Sequence, residues 1–410
     1  MGEPFVTNRT GQEAHVLWAL PDGDHCGGVT LRTLMLLPFL QALQVRGDLW
    51  MPEGPLASDP AFPSKLPANV SLLVGCGPGR VRHWRSFLHN VTWVWTLPFS
   101  LWRLTRQVRR SRYDVIHVNG VLNWVPLLVA WWTGTPVVWM LVGNHYPESW
   151  AKRIVQIWKK RVDALVVLAP ELASYYGLSL SEVTLMFEPV RLPAPSTQGR
   201  SERRKAFLQA NRLPGSWLDA PWIVGLGHWT PAKDWETWLQ VAGESYPTPV
   251  YFFLMGDETP TQSAYAERLR TLLRGENLAL VTHLGFREDA VDLLGLFDVL
   301  LLTSVQEGTP LVILEAQAQG VAVVATDTGG VGYLLTHGTS GWLSPVKAVD
   351  VLVEGVRQMT QRSALRETLV PNARSQCLAR HHPKEVARRW RDLYHDLVQR
   401  ARSSSDDRRT

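Results

Sequence analysis

Two carboxylates, Glu307 and Glu315, flank the mostly apolar run "GTPLVIL" within "SVQEGTPLVILEAQAQG" (304–320). Carboxylates spaced this way can accept hydrogen bonds from hydroxyls at two ends of one elongated ligand. Thr309 and Pro310 have the types of an N-cap and a first helical residue, and Gly320 that of a helix stop. Glu315 would then sit about 7.5 Å along the helix axis, at 1.5 Å per residue. The free N–H groups and positive dipole end of such a helix suit a phosphate or a polyol oxygen. A nucleotide-sugar, with its ribose diol, diphosphate and sugar, has the matching form. The same spacing also fits a solvent-exposed helix with incidental acids.

The elements around the pair would place it at the carboxyl edge of a strand. "FDVLLLT" (297–303) reads as a strand, so the loop "VQEG" leaves its carboxyl edge with Glu307. Similar apolar β runs recur along the chain. They are 14–20, 70–74, 113–118, 136–142, 164–169 and 183–187, then 221–227, 250–256, 278–285 and 321–326. Helical patterns separate most of them. Near-continuous Val/Ile/Leu runs mean strands covered on both faces, hence parallel sheets flanked by helices. The Pro/Ser/Arg-rich "RLPAPSTQGRSERR" (191–204) interrupts the apolar periodicity. We therefore expect two doubly wound domains, 1–192 and 206–383, joined by a linker at 193–205. A helix at 384–401 is expected to cross back to the N-domain, and 402–410 to form a disordered tail. Ligands of such sheets bind beyond the carboxyl ends of the strands, which makes an interdomain cleft the default site.

Bulk properties narrow the class. The chain has 410 residues and a net charge of +5, long enough for two or three domains and too balanced for wholesale disorder. Its three cysteines, Cys26, Cys76 and Cys377, are far apart and form no CxxC pair. That argues against a disulfide framework and a zinc site, and fits a reducing compartment. "MGEPFVTNRTGQEAH" lacks an apolar signal core, so a cytoplasmic protein is expected. "VLNWVPLLVAWWTGTPVVWMLVG" (121–143) is long enough to span a bilayer, but "TGTP" breaks it into a helix and a strand.

Longer stretches carry a resemblance to a known family. Residues 285–343, from "GFREDAVDLLGLFDVLLLTSVQEGTP" to "TDTGGVGYLLTHGTSGWL", resemble the C-terminal core of the family 4 retaining glycosyltransferases, including its E-x7-E motif. "IVGLGHWTPAKDWETWLQVA" (223–242) is similar to that family's phosphate-binding strand, loop and helix. "DVIHVNG" (114–120) and "FEPVRL" (187–192) resemble its N-domain strand and domain crossover. The likeness covers about residues 14 to 400 and is looser in the first half.

The resemblance implies a GT-B fold, with two Rossmann-like domains. It implies transfer of a sugar from a nucleotide diphosphate-sugar to a glycan or lipid-linked acceptor, with retention at the anomeric carbon. No metal or other cofactor is expected. Glu307 would hydrogen-bond donor-sugar hydroxyls, and Glu315 the ribose diol. The backbone of Gly308, Thr309, Pro310 and Leu311 would face sugar and phosphate, although Pro310 offers no N–H. Lys233 would neutralise the diphosphate, unless it is an ordinary surface lysine. In the N-domain, which would carry the acceptor, Gly27 and Gly28 resemble a glycine-rich loop approaching the donor phosphates.

Two positions depart from the pattern. His228 stands where the family usually has arginine, and a neutral imidazole gives one donor in place of a planar charged fork. Val142 stands where many members have histidine, and His145 either reaches the same space or is a loop histidine. "DGD" (22–24) and "GCGPG" (75–79) look like a metal motif and a dinucleotide loop, but read better as turns. A nucleotide-sugar epimerase of the same fold and a non-catalytic GT-B subunit are the alternatives.

Residues 80–112 hold eight arginines and no acid, with Trp84, Trp93, Trp95 and Trp102 between them. Leu97, Leu101, Leu104 and Val108 repeat at helical spacing, with Arg103, Arg106 and Arg110 on another face. This stretch is either a peripheral anchor for an anionic inner membrane face or a packed helix with a solvated cationic rim. A nucleic-acid partner is not expected.

Overall fold

The computed structural model describes residues 13–21, 28–75, 87–142, 147–258, 263–275, 278, 280–361 and 364–406. The chain divides into two compact units, Met1–Pro189 with Pro383–Thr410, and Val190–His382.

The first unit is built on seven parallel strands: β1 Ala14–Ala19, β2 Val45–Met51, β3 Leu72–Val74, β4 Val115–Asn119, β5 Val137–Met140, β6 Ala164–Val167 and β7 Thr184–Leu185. Their order is β3-β2-β1-β4-β5-β6-β7. The second unit has six: β8 Trp222–Leu226, β9 Tyr251–Met255, β10 Val281–Gly285, β11 Val299–Leu302, β12 Ala322–Thr326 and β13 Trp342–Ser344. Their order, β10-β9-β8-β11-β12-β13, repeats the first six positions of the other sheet. Every residue of β4 and of β12 is buried, as strands covered on both faces must be. In each sheet the order reverses direction once, between β1 and β4 and between β8 and β11. Such switch points open a crevice beyond the carboxyl ends of the strands.

Two strands escaped the sequence pattern. β2, "VRGDLWM", carries Arg46, Gly47 and Asp48 within it. Gly47 is required there, because an added Cβ would lie 1.7 Å from the Val16 carbonyl oxygen. Asp48 accepts hydrogen bonds from the Tyr113 hydroxyl and the Ser71 N–H. β13 has only three residues, too few for a period. The apolar stretch at 121–143 does divide: helix Trp124–Thr133 stops at left-handed Gly134, and β5 follows. Among the described residues no helix is long and apolar enough to cross a membrane.

The expected linker at 193–205 needs correction. The second unit begins at Val190, and helix Arg200–Ala210 starts inside the presumed linker. Arg204 is buried and donates to Asp298 Oδ2 at 2.6 Å and to the Leu296 carbonyl at 2.7 Å, its guanidinium lying over the Trp222 ring. Arginine-rich composition reads as solvated, but here it answers a buried carboxylate, which is stable only with charged and hydrogen-bonding partners. The tail is corrected too. The last helix runs Pro383–Asp406, past 401, and 407–410 lie outside the described residues. This helix belongs to the first unit, where Trp18 Nε1 donates to the Tyr394 hydroxyl and Trp390 packs on His117.

Candidate active site

Two loops meet at the switch point of the second sheet. The first leaves β8 through Gly227, which lies back to back with Gly256 after β9. A Cβ on Gly256 would come within 1.9 Å of the Gly227 carbonyl oxygen, so these loop backbones touch only because residue 256 is glycine. The chain then makes a short turn, Pro231–Lys233, and Asp234 takes the left-handed conformation (φ 46°) ahead of helix Trp235–Ala242. The second loop leaves β11 at Leu302. The Thr303 hydroxyl donates to the carbonyls of Lys233 and Asp234 at 3.1 and 3.0 Å, and the Val305 N–H to the Ala232 carbonyl at 2.9 Å.

This lacing brings Lys233 and Glu307 together. Lys233 Nζ lies 2.6 Å from Glu307 Oε1, in an ion pair whose side chains are 23% and 10% exposed. Ser304 Oγ donates to the same oxygen, also at 2.6 Å. A third loop backs the pair from the end of β12. Thr326 and Thr328 donate to the carbonyls of Ser304 and Val305, and the Gly330 N–H to the Gly308 carbonyl. A Cβ on Gly329 would lie 1.9 Å from the Glu307 carbonyl oxygen, and one on Gly330 2.1 Å from that of Gly308. "TDTGG" (326–330) is thus a cast of the glutamate loop. Its glycines directly after a strand were the available signal. Ser304, three residues before Glu307, carried none by type alone.

The helix after Glu307 starts later than expected. It runs Leu311–Ala318, with Pro310 as N-cap in an extended conformation (ψ 102°) and no side-chain cap. Thr309 therefore lies outside the helix. Proline at the N-cap leaves the first-turn N–H groups without the side-chain acceptor that threonine would have supplied. Gly308 is exposed, with open space where a side chain would stand. Gly320 ends the segment at φ 71°.

Glu315 lies one turn in, half-buried, and its carboxylate makes no hydrogen bond among the described residues. Burial pushes its carboxyl up to about 7, opposed by the Arg191 guanidinium. It is a poorly solvated acid that a pair of hydroxyls could satisfy. The His228 side chain is exposed, and its carbonyl accepts from Trp235 Nε1 at 3.0 Å. Gly28 opens helix Gly28–Ala42 of the first unit. His145, Gly27, "DGD" and residues 76–79 lie outside the described residues. Among the described residues no group of three or more His, Cys, Asp or Glu side chains is placed to hold a metal.

Residues 218–376 match the family model for Glycosyl transferases group 1, and residues 27–179 the model for a Glycosyl transferase 4-like domain. Each unit thus contains a stretch that matches a glycosyltransferase family model. A D-inositol 3-phosphate glycosyltransferase of Corynebacterium urealyticum is 27% identical over 339 residues, 74% of this chain and 74% of its own. Shorter matches join this chain to an N-acetyl-alpha-D-glucosaminyl L-malate synthase of Bacillus anthracis, 27% identical over 29% of this chain and 31% of that protein. An N,N'-diacetylbacillosaminyl-diphospho-undecaprenol alpha-1,3-N-acetylgalactosaminyltransferase of Campylobacter jejuni is 31% identical over 30% and 32%. The chain thus spans about a third of the length of these last two relatives. In fold it is similar to a glycosyltransferase from Rickettsia africae (TM-score 0.77, 15% identity, 95% of this chain and 99% of that one). It is also similar to Anabaena HepE in complex with UDP and glucose (TM-score 0.70, 17% identity, 94% and 100%). The fold class is GT-B, with two Rossmann-like parallel-sheet units.

Proposed function

We propose that this protein moves a sugar from a nucleoside diphosphate-sugar to a glycan or lipid-linked acceptor, with retention at the anomeric carbon, in glycoconjugate synthesis. The observation that carries this reading is the Lys233–Glu307 pair, set beyond the carboxyl ends of β8 and β11. Lys233 supplies the fixed charge that a diphosphate leaving group needs as its bond to the sugar breaks. Preorganised charge of this kind is usually the largest catalytic term. Glu307 accepts hydrogen bonds from the donor sugar. The backbone of Gly308 to Leu311, with the free N–H groups of the helix start, faces sugar and phosphate. Glu315 takes the ribose diol. The incoming hydroxyl attacks the face that the nucleotide leaves, and a leaving phosphate oxygen accepts its proton, so no protein nucleophile is required. His228 and His145 are auxiliary candidates, and no metal is invoked.

A thermal-shift screen of UDP-, GDP- and ADP-sugars tests donor binding, since a bound donor raises apparent stability. NMR of the product's anomeric proton tests retention. Inverted product, or no donor bound at any concentration, would refute the assignment.

The acceptor reading extends to a surface. Two relatives are named for sugars linked to undecaprenol through a diphosphate. In the first unit, helix Phe87–Ser111 buries Leu104 and Val108, with Leu97 and Leu101 packed beside them. The apolar stripe noted in the sequence is therefore core. A second set faces outward: Trp95, Phe99 and Trp102, 80%, 53% and 56% exposed, followed by exposed Arg103, Arg106, Arg109 and Arg110. Arg106 lies over the Trp102 ring. Arg80, Arg82, Arg85 and Trp84 lie outside the described residues. Interfacial aromatics beside cations suit an anionic bilayer, with about 1 kcal/mol per basic residue near the surface. We assign this face to peripheral docking on the inner membrane face of a cytoplasmic enzyme. Sedimentation with phosphatidylglycerol vesicles should fall steeply with salt and on changing Arg106, Arg109 and Arg110 to Glu. Absence of binding at low salt would refute the assignment.

A further inference from the structure

Glu307 is held by one oxygen only. Lys233 Nζ and Ser304 Oγ both reach Oε1, each at 2.6 Å, while Oε2 meets no hydrogen-bond donor among the described residues. The two partners are not equivalent. An ammonium has three protons and can serve Oε1 and a phosphate together, or swing wholly to the phosphate. The serine hydroxyl has one proton, and it is committed to Oε1. Ser304 is also immobile: it is 0% exposed, Thr326 Oγ1 donates to its carbonyl, and Thr303 before it is tied to the lysine loop.

We propose that Ser304 is a positioning residue for sugar transfer. Its hydroxyl keeps Oε1 fixed when Lys233 turns to the diphosphate, so that Oε2 is presented to a donor-sugar hydroxyl in one orientation. One oxygen is for anchoring and the other for reading the sugar. The inference rests on the glycosyl-transfer reading above, and it separates two parts of the donor. Recognition of the diphosphate does not need the Ser304 hydroxyl, whereas alignment of the sugar does.

Ser304→Ala removes the hydroxyl without adding volume. We expect UDP affinity, measured by calorimetry with GDP and ADP as parallel arms, to stay within about two-fold of the parent. We expect kcat for transfer to fall about ten-fold or more, the size of one hydrogen bond to a charged group. Ser304→Thr, which retains the hydroxyl, should recover most of that loss. Parent-like kcat in the alanine variant would overturn the proposal. So would loss of diphosphate affinity in step with kcat, since that pattern belongs to a general structural role. A parent protein that turns over no donor would instead defeat the transferase reading. Crystal structures of parent and alanine variant, each with UDP bound so that Lys233 is engaged by the diphosphate, would then still decide the positioning role: the Glu307 carboxylate should rotate away from its parent position in the variant, and an unmoved carboxylate overturns it.

Discussion

The two sheets share one strand order but differ in what stands at their switch points. In the second unit a charged pair, Lys233 and Glu307, lies beyond β8 and β11, braced by hydroxyls and closed from behind by Gly329 and Gly330. In the first unit the described residues at the corresponding place, between β1 and β4, include the amides of Asn119 and Asn123. Asn123 donates to the carbonyls of Ala19, Leu20 and Asn119, and Asn119 donates to that of Ala19. Topology therefore supplies a crevice in both halves, and the side chains decide its use. Fixed charge suits a diphosphate, whereas amides spent on backbone carbonyls stitch the strand ends together.

The sharpest way to break this comparison is Glu307→Gln. It should abolish transfer while leaving the melting transition near that of the parent, because the carboxylate bonds to the loop residues Lys233 and Ser304 and is not part of the hydrophobic core. Near-normal turnover would remove the charged pair from the chemistry. Lys233→Ala follows, with an expected fall in kcat of order 10², the scale of one lost preorganised electrostatic group. Asn123→Ala is its counterpart in the first unit. It should lower stability by about 1–3 kcal/mol, as lost buried hydrogen bonds do, with little change in donor affinity. If it weakened donor binding as much as Lys233→Ala, the contrast between the two switch points would be false.

Glu315 gives a smaller effect and a pH signature. Its carboxyl titrates at about 7 in the folded protein, above the ordinary value of 4.5. The folded state thus holds a proton that the unfolded chain releases, so the contribution of Glu315 to stability declines as pH rises from about 4.5 to about 7. Glu315→Gln should flatten that part of the stability profile measured by denaturant melts. Glu315→Ala should weaken donor binding through the ribose, so a 2′,3′-dideoxy donor should lose little further affinity in that variant. The smallest change is expected from His228→Arg, which places a fixed charge at an exposed position beside the proposed phosphate site. Activity should be kept or raised, and severe inactivation would mean that His228 does not face the phosphates.

Much of this site could be read before any coordinates. Glu307 after an apolar strand and Glu315 in the next helix follow from local patterns, whereas Lys233 is marked only by the family resemblance. The helix start was misread by one residue, because Thr-Pro is an excellent N-cap pair in isolation and the proline here takes the cap position itself. Ser304 was not singled out, since a serine at a strand end has many ordinary roles and only its burial and its distance to Glu307 assign one. The same limit hid the helix at 200–210. An arginine-rich segment looks solvated until Asp298, 94 residues further on, appears under Arg204.

By itself the sequence determined the alternation of buried strands and helices, and with it two parallel sheets with crevices beyond the strands' carboxyl ends. Apolar runs, turn residues and helix periods act over a few residues, so they are written locally. Only the tertiary structure decided which loops meet. Lys233 and Glu307 are 74 residues apart, and they touch because β8 and β11 are neighbours in the sheet. It also decided that the leucine stripe of helix Phe87–Ser111 is core while Trp95, Phe99 and Trp102 face outward. A helix with two apolar faces can bury either, and the choice belongs to the sheet it packs against.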